Sequence, residues 1–205
     1  MIAKNQFPRP KPWEFCAAIL SGGESQRMGV PKAGLLLPDG RSMIERMRDT
    51  LTAFCRQVVF VGPAYGVLGH HVIETESEMI GPLGALEALL RSGVDTQYLI
   101  VPCDLPLVPP AFLARLTRDE NIDGMTTFQV DGEDMPRPLP CRVGADCLDD
   151  VQDLIAEGER SLHALIKRLG PDAEIAPVAH RERDLLLNVN TPEDFERACA
   201  ALRKE

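Results

Sequence analysis

Short apolar runs alternate with amphipathic segments along this chain, and each run has the length of a strand buried on both faces of a parallel sheet. Residues 15–20 (FCAAIL) form the first run, which stops abruptly at the glycines of SGGESQRMG. A helical pattern fills residues 42–54, residues 57–61 (QVVFV) predict the next strand, and residues 71–74 predict a short one. Residues 83–91 predict a helix. Residues 98–102 (YLIVP) then predict another buried strand, which runs straight into Cys103-Asp104-Leu105-Pro106 and leaves an acid at its carboxyl end. Pro109 and Pro110 suit the first turn of a helix that residues 111–116 continue. Residues 125–130 and 138–143 predict two extended pieces that pair across the turn signal DGED. Amphipathic helices are expected over residues 147–157, 161–169 and 192–202. The last has Thr191 as N-cap, Pro192 at the first helical position and Asp194 three residues beyond the cap.

This alternation predicts an α/β fold with three layers, a mostly parallel central sheet carrying helices on both faces. In such a fold the ligand crevice lies at the carboxyl ends of the strands. Residues 1–13, with Pro8, Pro10 and Pro12, read as an extended arm that cannot form regular hydrogen bonds. Residues 14–205 read as one domain.

Composition narrows the partners. Of 205 residues 44% are hydrophobic, and the net charge of −9 leaves no broad basic surface for a nucleic-acid backbone. A small phosphorylated substrate remains open, because one loop and one metal ion can supply positive charge locally. The six cysteines, at 16, 55, 103, 141, 147 and 199, form no C-x-x-C pair and read as reduced, mostly buried thiols. No apolar run reaches transmembrane length and the start lacks a signal-peptide core, so no membrane association and a cytoplasmic location are expected.

Three segments carry candidate chemistry. In LSGGESQRMGVPKAGLLL (20–37), glycines after a strand let backbone N–H groups approach a phosphate, and Arg27 and Lys32 can neutralise its charge. The segment matches neither the P-loop nor the G-x-G-x-x-G pattern, and a glycine-rich turn with surface cations would look the same. Asp104 suits Mg²⁺, which takes one or two carboxylates plus substrate phosphates, although a turn or helix cap would also place an acid there. Asn188 and Asn190, alternating around Val189, would project to one side of an extended segment, or serve simply as turn formers before the capped helix. The four histidines show no metal-ligand or nucleophile pattern, and RERD (181–184) reads as a solvated turn.

Taken in order, LSGGESQRMGVPK (20–32), GPLGAL (81–86), PCDLPLVPP (102–110), GERSLHALIKRL (158–169) and LNVNTPEDF (187–195) resemble the molybdenum-cofactor guanylyltransferases, within the Rossmann-like nucleotidyltransferases. The resemblance implies a transferase that joins GMP from GTP to the phosphate of molybdopterin with Mg²⁺. By it, the backbone of Leu20, Ser21 and Gly22 meets the guanine, Gly23 completes the turn, and Pro82, Leu83 and Gly84 line the nucleotide pocket. Arg27 and Lys32 grip phosphates, Asp104 binds Mg²⁺, and Asn188 and Asn190 face the molybdopterin. Within the single domain the resemblance also implies a nucleotide-binding half over about 14–115 and an acceptor-binding half over about 116–205, and transient docking with molybdoenzymes or their chaperones. The loop departs from the family's R-M-G-G-x-D-K, being one residue shorter with Pro31 in place of the aspartate. Thr75 stands where an acid is usual and Val61 where an asparagine is usual. Base choice therefore stays open between GTP and CTP, and a non-catalytic carrier of the same cofactor is the alternative outside enzymes.

Overall fold

The computed structural model describes residues 12–21, 32–62, 65–67, 70–72, 81–118 and 123–204. Its strands are β1 (Trp13–Leu20), β2 (Cys55–Val61), β3 (His70–Val72), β4 (Gln97–Pro102), β5 (Met125–Val130), β6 (Arg137–Gly144) and β7 (Ala173–Val178). They form one seven-stranded sheet in the order β3-β2-β1-β4-β6-β5-β7. The first four in that order run parallel, β6 lies antiparallel between β4 and β5, and β5 and β7 are parallel. The helices are α1 (Met43–Thr52), α2 (Gly81–Arg91), α3 (Pro110–Leu113), α4 (Leu148–Ala156), α5 (Leu162–Leu169) and α6 (Pro192–Leu202).

The apolar runs become strands because both of their faces are covered. In β1, Ala17 and Ile19 join a cluster with Ile44, Met47 and Leu51 of α1. Their neighbours Cys16 and Ala18 join the opposite cluster with residues of α2, α4 and α5. Leu99 and Tyr98 of β4 divide in the same way. Each fully buried leucine in these layers contributes about 1.5–3 kcal/mol over an exposed one, so the two faces together anchor the sheet. A third, smaller cluster joins Leu37 and Met43 to Val189, Ala198 and Cys199, and so fastens α6 beside the start of α1.

Local signals set the helix starts. Ser42 caps α1 in a reciprocal box: its Oγ accepts the Glu45 N–H at 3.3 Å, and its own N–H donates to Glu45 Oε2 at 2.7 Å. Thr191 and Asp194 repeat the arrangement at α6, whose bounds match the sequence expectation.

Several elements differ from that expectation. Strand β7 was not anticipated; its sequence AEIAPV is diluted by Glu174 and Pro177. Among the described residues it is an edge strand paired with β5, a position where a proline in the strand leaves no ladder partner unsatisfied on its open side. Trp13, expected in the arm, opens β1 and is buried. The helix expected over 111–116 is a single α turn that tightens into a 3-10 helix over Ala114–Thr117. The RERD turn is part of a 3-10 helix, and Glu182 within it pairs with Arg115 at 3.2 Å. All six cysteines are free and buried, as expected.

Candidate active site

Three strand ends define the rim on which the site is built. Leu20 is in register with both Val61 and Pro102, so β2, β1 and β4 finish side by side. The Ser21 N–H donates to the Val61 carbonyl at 3.0 Å, its hydroxyl donates to the same carbonyl at 3.2 Å, and the Cys103 N–H donates to the Leu20 carbonyl at 3.1 Å. These bonds carry the ladder one residue past the strands and hold Ser21 and Cys103 at the mouth of the crevice.

Asp104 follows at once. The turn around it is tied to α1, because Arg46 Nε donates to the Pro106 carbonyl at 2.7 Å. Its carbonyl accepts the Val189 N–H at 2.9 Å, which draws the segment before α6 onto the end of β4. Its carboxylate lies 3.9 Å from Lys32 Nζ, with the two side chains 16% and 17% exposed. Oδ1 of Asp104 is buried and has no hydrogen-bond partner among the described residues. Burial pushes this carboxyl up to about 6, and the nearby Lys32 ammonium and the backbone N–H only partly oppose the rise. Desolvation thus outweighs the ion pair, and the fold holds an under-satisfied acid at the crevice. Beside it the Cys103 thiol is pushed up to about 12, by burial first and the Asp104 charge second.

Lys32 heads a short 3-10 helix, Lys32–Gly34, which Ala33 anchors in the core. Its ammonium also donates to Asn190 Oδ1 at 2.5 Å, a contact between residues 158 apart in the chain. Asn190 is in turn fixed by Asp194, whose Oδ2 accepts the N–H groups of Asn190 at 3.2 Å and Thr191 at 3.1 Å. The Asn190 N–H is the largest cause holding the Asp194 carboxyl below the usual range.

The structure therefore brings Lys32, Asp104 and Asn190 together, with Leu20 and Ser21 on the same rim. Asn188 is exposed, while Val189 between the asparagines is buried. This is the alternation expected of an extended segment, although residues 187–190 form no strand. At the start of α2, Pro82 is exposed, whereas Gly84 and the Leu83 side chain are buried in the layer beneath the sheet. The Leu83 N–H donates to the Arg160 carbonyl at 3.3 Å, which docks GERSLHALIKRL against the amino end of α2. Gly22, Gly23, Arg27 and Thr75 lie outside the described residues.

Sequence reading passed over two features. Asp194 was visible as a capping residue, but not as the acceptor of the Asn190 N–H, a local bond that matters only because Lys32 meets Asn190 across the fold. Tyr65, just past β2, is 40% exposed with φ +49, a conformation bulky residues rarely adopt; nothing in the local sequence marked it.

Comparison with known proteins follows the same lines. The family model for the MobA-like NTP transferase domain matches residues 17–173. A molybdenum cofactor guanylyltransferase of Rhizobium meliloti is 32% identical over 200 residues, covering 91% of each chain. Another, of Xanthomonas euvesicatoria, is 33% identical over 195 residues, covering 91% of this chain and 94% of its own. Among solved structures, the molybdopterin-guanine dinucleotide biosynthesis protein A of Archaeoglobus fulgidus superposes with a TM-score of 0.74 at 22% identity. That match covers 93% of this chain and 100% of the other, and it shows the shared fold.

Proposed function

The chain belongs to the MobA-like NTP transferase family, and from that premise we propose that it transfers GMP from GTP to the terminal phosphate of molybdopterin. The products are the guanine dinucleotide form of the molybdenum cofactor, to be passed on to a molybdoenzyme, and pyrophosphate. The observation that carries this reading is the meeting of Lys32, Asp104 and Asn190 at the carboxyl ends of the strands. Phosphate-neutralising, metal-binding and acceptor-facing groups from three distant segments share one crevice there.

The reaction forms one P–O bond, from a phosphate oxygen of molybdopterin to the α-phosphorus, and breaks the bond from that phosphorus to pyrophosphate. No covalent enzyme intermediate is needed, so the protein's part is positioning and charge neutralisation. Lys32 and Arg27 offset the charge gathering on the departing pyrophosphate. Leu20 and Ser21 of the rim, with Gly22 and Gly23 that follow them in the chain and with Pro82 and the backbone of Leu83 and Gly84, bind the nucleotide in this reading; Asn188 and Asn190 hold the acceptor.

Asp104 fits Mg²⁺. A buried carboxylate oxygen without a hydrogen-bond partner among the described residues is a hard, anionic donor of the kind Mg²⁺ takes. Among the described residues no group of three or more His, Cys, Asp or Glu side chains is placed to hold a metal. Asp104 would accordingly share the ion with the nucleotide's phosphates. Bound there, Mg²⁺ supplies positive charge to the phosphate oxygens.

One observation favours CTP as the alternative nucleotide. The Val61 side chain is buried and apolar, so it gives a base edge no hydrogen bond where the related enzymes usually place an asparagine. Pyrophosphate release with Mg²⁺ and molybdopterin, supplying GTP, CTP and ATP separately with Asp104→Ala as the blank, decides the matter. Release with GTP alone is expected. Preference for CTP moves the activity to cytidylyl transfer on the same machinery, and no release with any nucleotide favours a carrier. Full activity in Asp104→Ala would sink the site assignment.

A further inference from the structure

The hydrogen bonds at the start of α6 reach beyond the helix they cap. Oδ2 of Asp194 accepts from the Asn190 N–H, the Thr191 N–H and the Thr191 hydroxyl at 3.1–3.2 Å. The Asp194 N–H donates to Thr191 Oγ1 at 3.2 Å and completes the box. A cap alone needs only the bonds with Thr191. The bond to Asn190 lies one residue upstream, and Asn190 is the residue whose amide oxygen receives the Lys32 ammonium. The neighbouring Val189 N–H is meanwhile spent on the Asp104 carbonyl. The backbone of 189–191 is thus pinned at both ends, by Asp104 on one side and Asp194 on the other.

We propose that Asp194 is a positioning residue for Lys32: by fixing the Asn190 backbone it sets where the Asn190 amide oxygen holds the lysine ammonium in the crevice. A lysine carries a point charge on a flexible four-carbon stem, so it needs an outside acceptor to present that charge in one place. Asn190 supplies the acceptor, and Asp194 keeps Asn190 from swinging with the loop. The two helix-capping residues therefore have separable effects. Thr191 serves the cap, whereas Asp194 serves both the cap and the lysine. This rests on Lys32 acting on the nucleotide's phosphates, as in the proposed function.

The test compares Asp194→Ala, Asp194→Asn, Thr191→Ala, Asn190→Ala and the double variant Asp194→Ala/Asn190→Ala in the full chain. Steady-state pyrophosphate release gives kcat and KM, and urea midpoints report the cap. Asp194→Ala and Thr191→Ala are expected to lower the midpoint alike, but only Asp194→Ala lowers kcat, by about tenfold for a misplaced catalytic charge. Asp194→Asn, which keeps an acceptor oxygen, recovers most of the rate. The double variant is expected to be no slower than Asn190→Ala, because Asp194 acts through Asn190. Equal loss of kcat in Thr191→Ala and Asp194→Ala, or additive losses in the double variant, overturns the proposal.

A readout that does not need turnover keeps the two readings apart. In protein labelled with ¹³C at the lysine Cε, the Lys32 signal, assigned through Lys32→Arg, is expected to shift in Asp194→Ala and Asn190→Ala and to stay in Thr191→Ala. If wild type releases no pyrophosphate while the signal behaves in this way, the function is wrong and the positioning stands. An unmoved signal in Asp194→Ala refutes the positioning whatever the activity.

Discussion

Replacing Asp104 by asparagine removes a charge that the fold holds at a cost. The carboxyl ordinarily titrates at 3.8 and is pushed up to about 6 here, chiefly by burial. A folded value above the unfolded one makes the native state the stronger proton binder. Wild type is then at full strength below about pH 4 and loses stability as pH rises through about 6. At 1.36 kcal/mol per tenfold change in proton affinity, the whole difference is about 3 kcal/mol above that range. Partial solvent access and the residual cost of a buried amide reduce the net gain in Asp104→Asn to about 1–2 kcal/mol at pH 7.5. Lys32 keeps its acceptor in Asn190, so removing the carboxylate does not strand the ammonium. Urea denaturation in EDTA at pH 5 and pH 7.5, wild type beside Asp104→Asn, reads the effect as a shift in midpoint. The variant should be the more stable, by a margin about 1 kcal/mol larger at pH 7.5 than at pH 5, while its pyrophosphate release is lost. A variant less stable than wild type at pH 7.5, or a margin that does not change with pH, would show that the acid is satisfied by its surroundings.

Two further expectations concern the scaffold. Gly124 has φ +82, and a Cβ there would lie 2.5 Å from the Asp172 carbonyl oxygen. Its N–H and carbonyl are held by Asp146 and Gly144, so the backbone cannot easily retreat. Gly124→Ala should cost about 2–4 kcal/mol in the urea midpoint, against about 1 kcal/mol for Gly93→Ala, where φ is +62 but the space is open; equal losses would contradict the clash. Burial pushes the thiols of Cys16, Cys55, Cys103 and Cys147 up to about 12 and that of Cys141 higher still. Ellman's reagent at pH 8 should therefore find the native protein nearly inert and titrate six thiols after unfolding, and fast reaction of several native thiols would mean that the core opens.

What was legible in the chain was whatever depends on near neighbours. Short apolar runs such as QVVFV and YLIVP suit a sheet covered on both sides, and T-P-E-D carries its own capping partners. The fold class, the order of most elements and the bounds of α6 follow from such local chemistry. The glycine loop and PCDLP pointed to one crevice because each directly follows a predicted strand, whereas NVNTPED comes to the end of β4 through the bond from the Val189 N–H to the Asp104 carbonyl. Tertiary structure decided what depends on distant neighbours. Strand β7 exists because β5 offers it an edge, which no periodicity in AEIAPV announces. Leu83, in a segment associated with the nucleotide pocket, turns its side chain into the core because the layer beneath the sheet has room for it. The acidity of Asp104 is set by how much water the surrounding elements exclude, and the hold on Lys32 by an amide oxygen that reaches it only when α6 packs beside α1. Spacing along a chain encodes helix and strand, but desolvation and contacts across 158 residues exist only once the layers have closed.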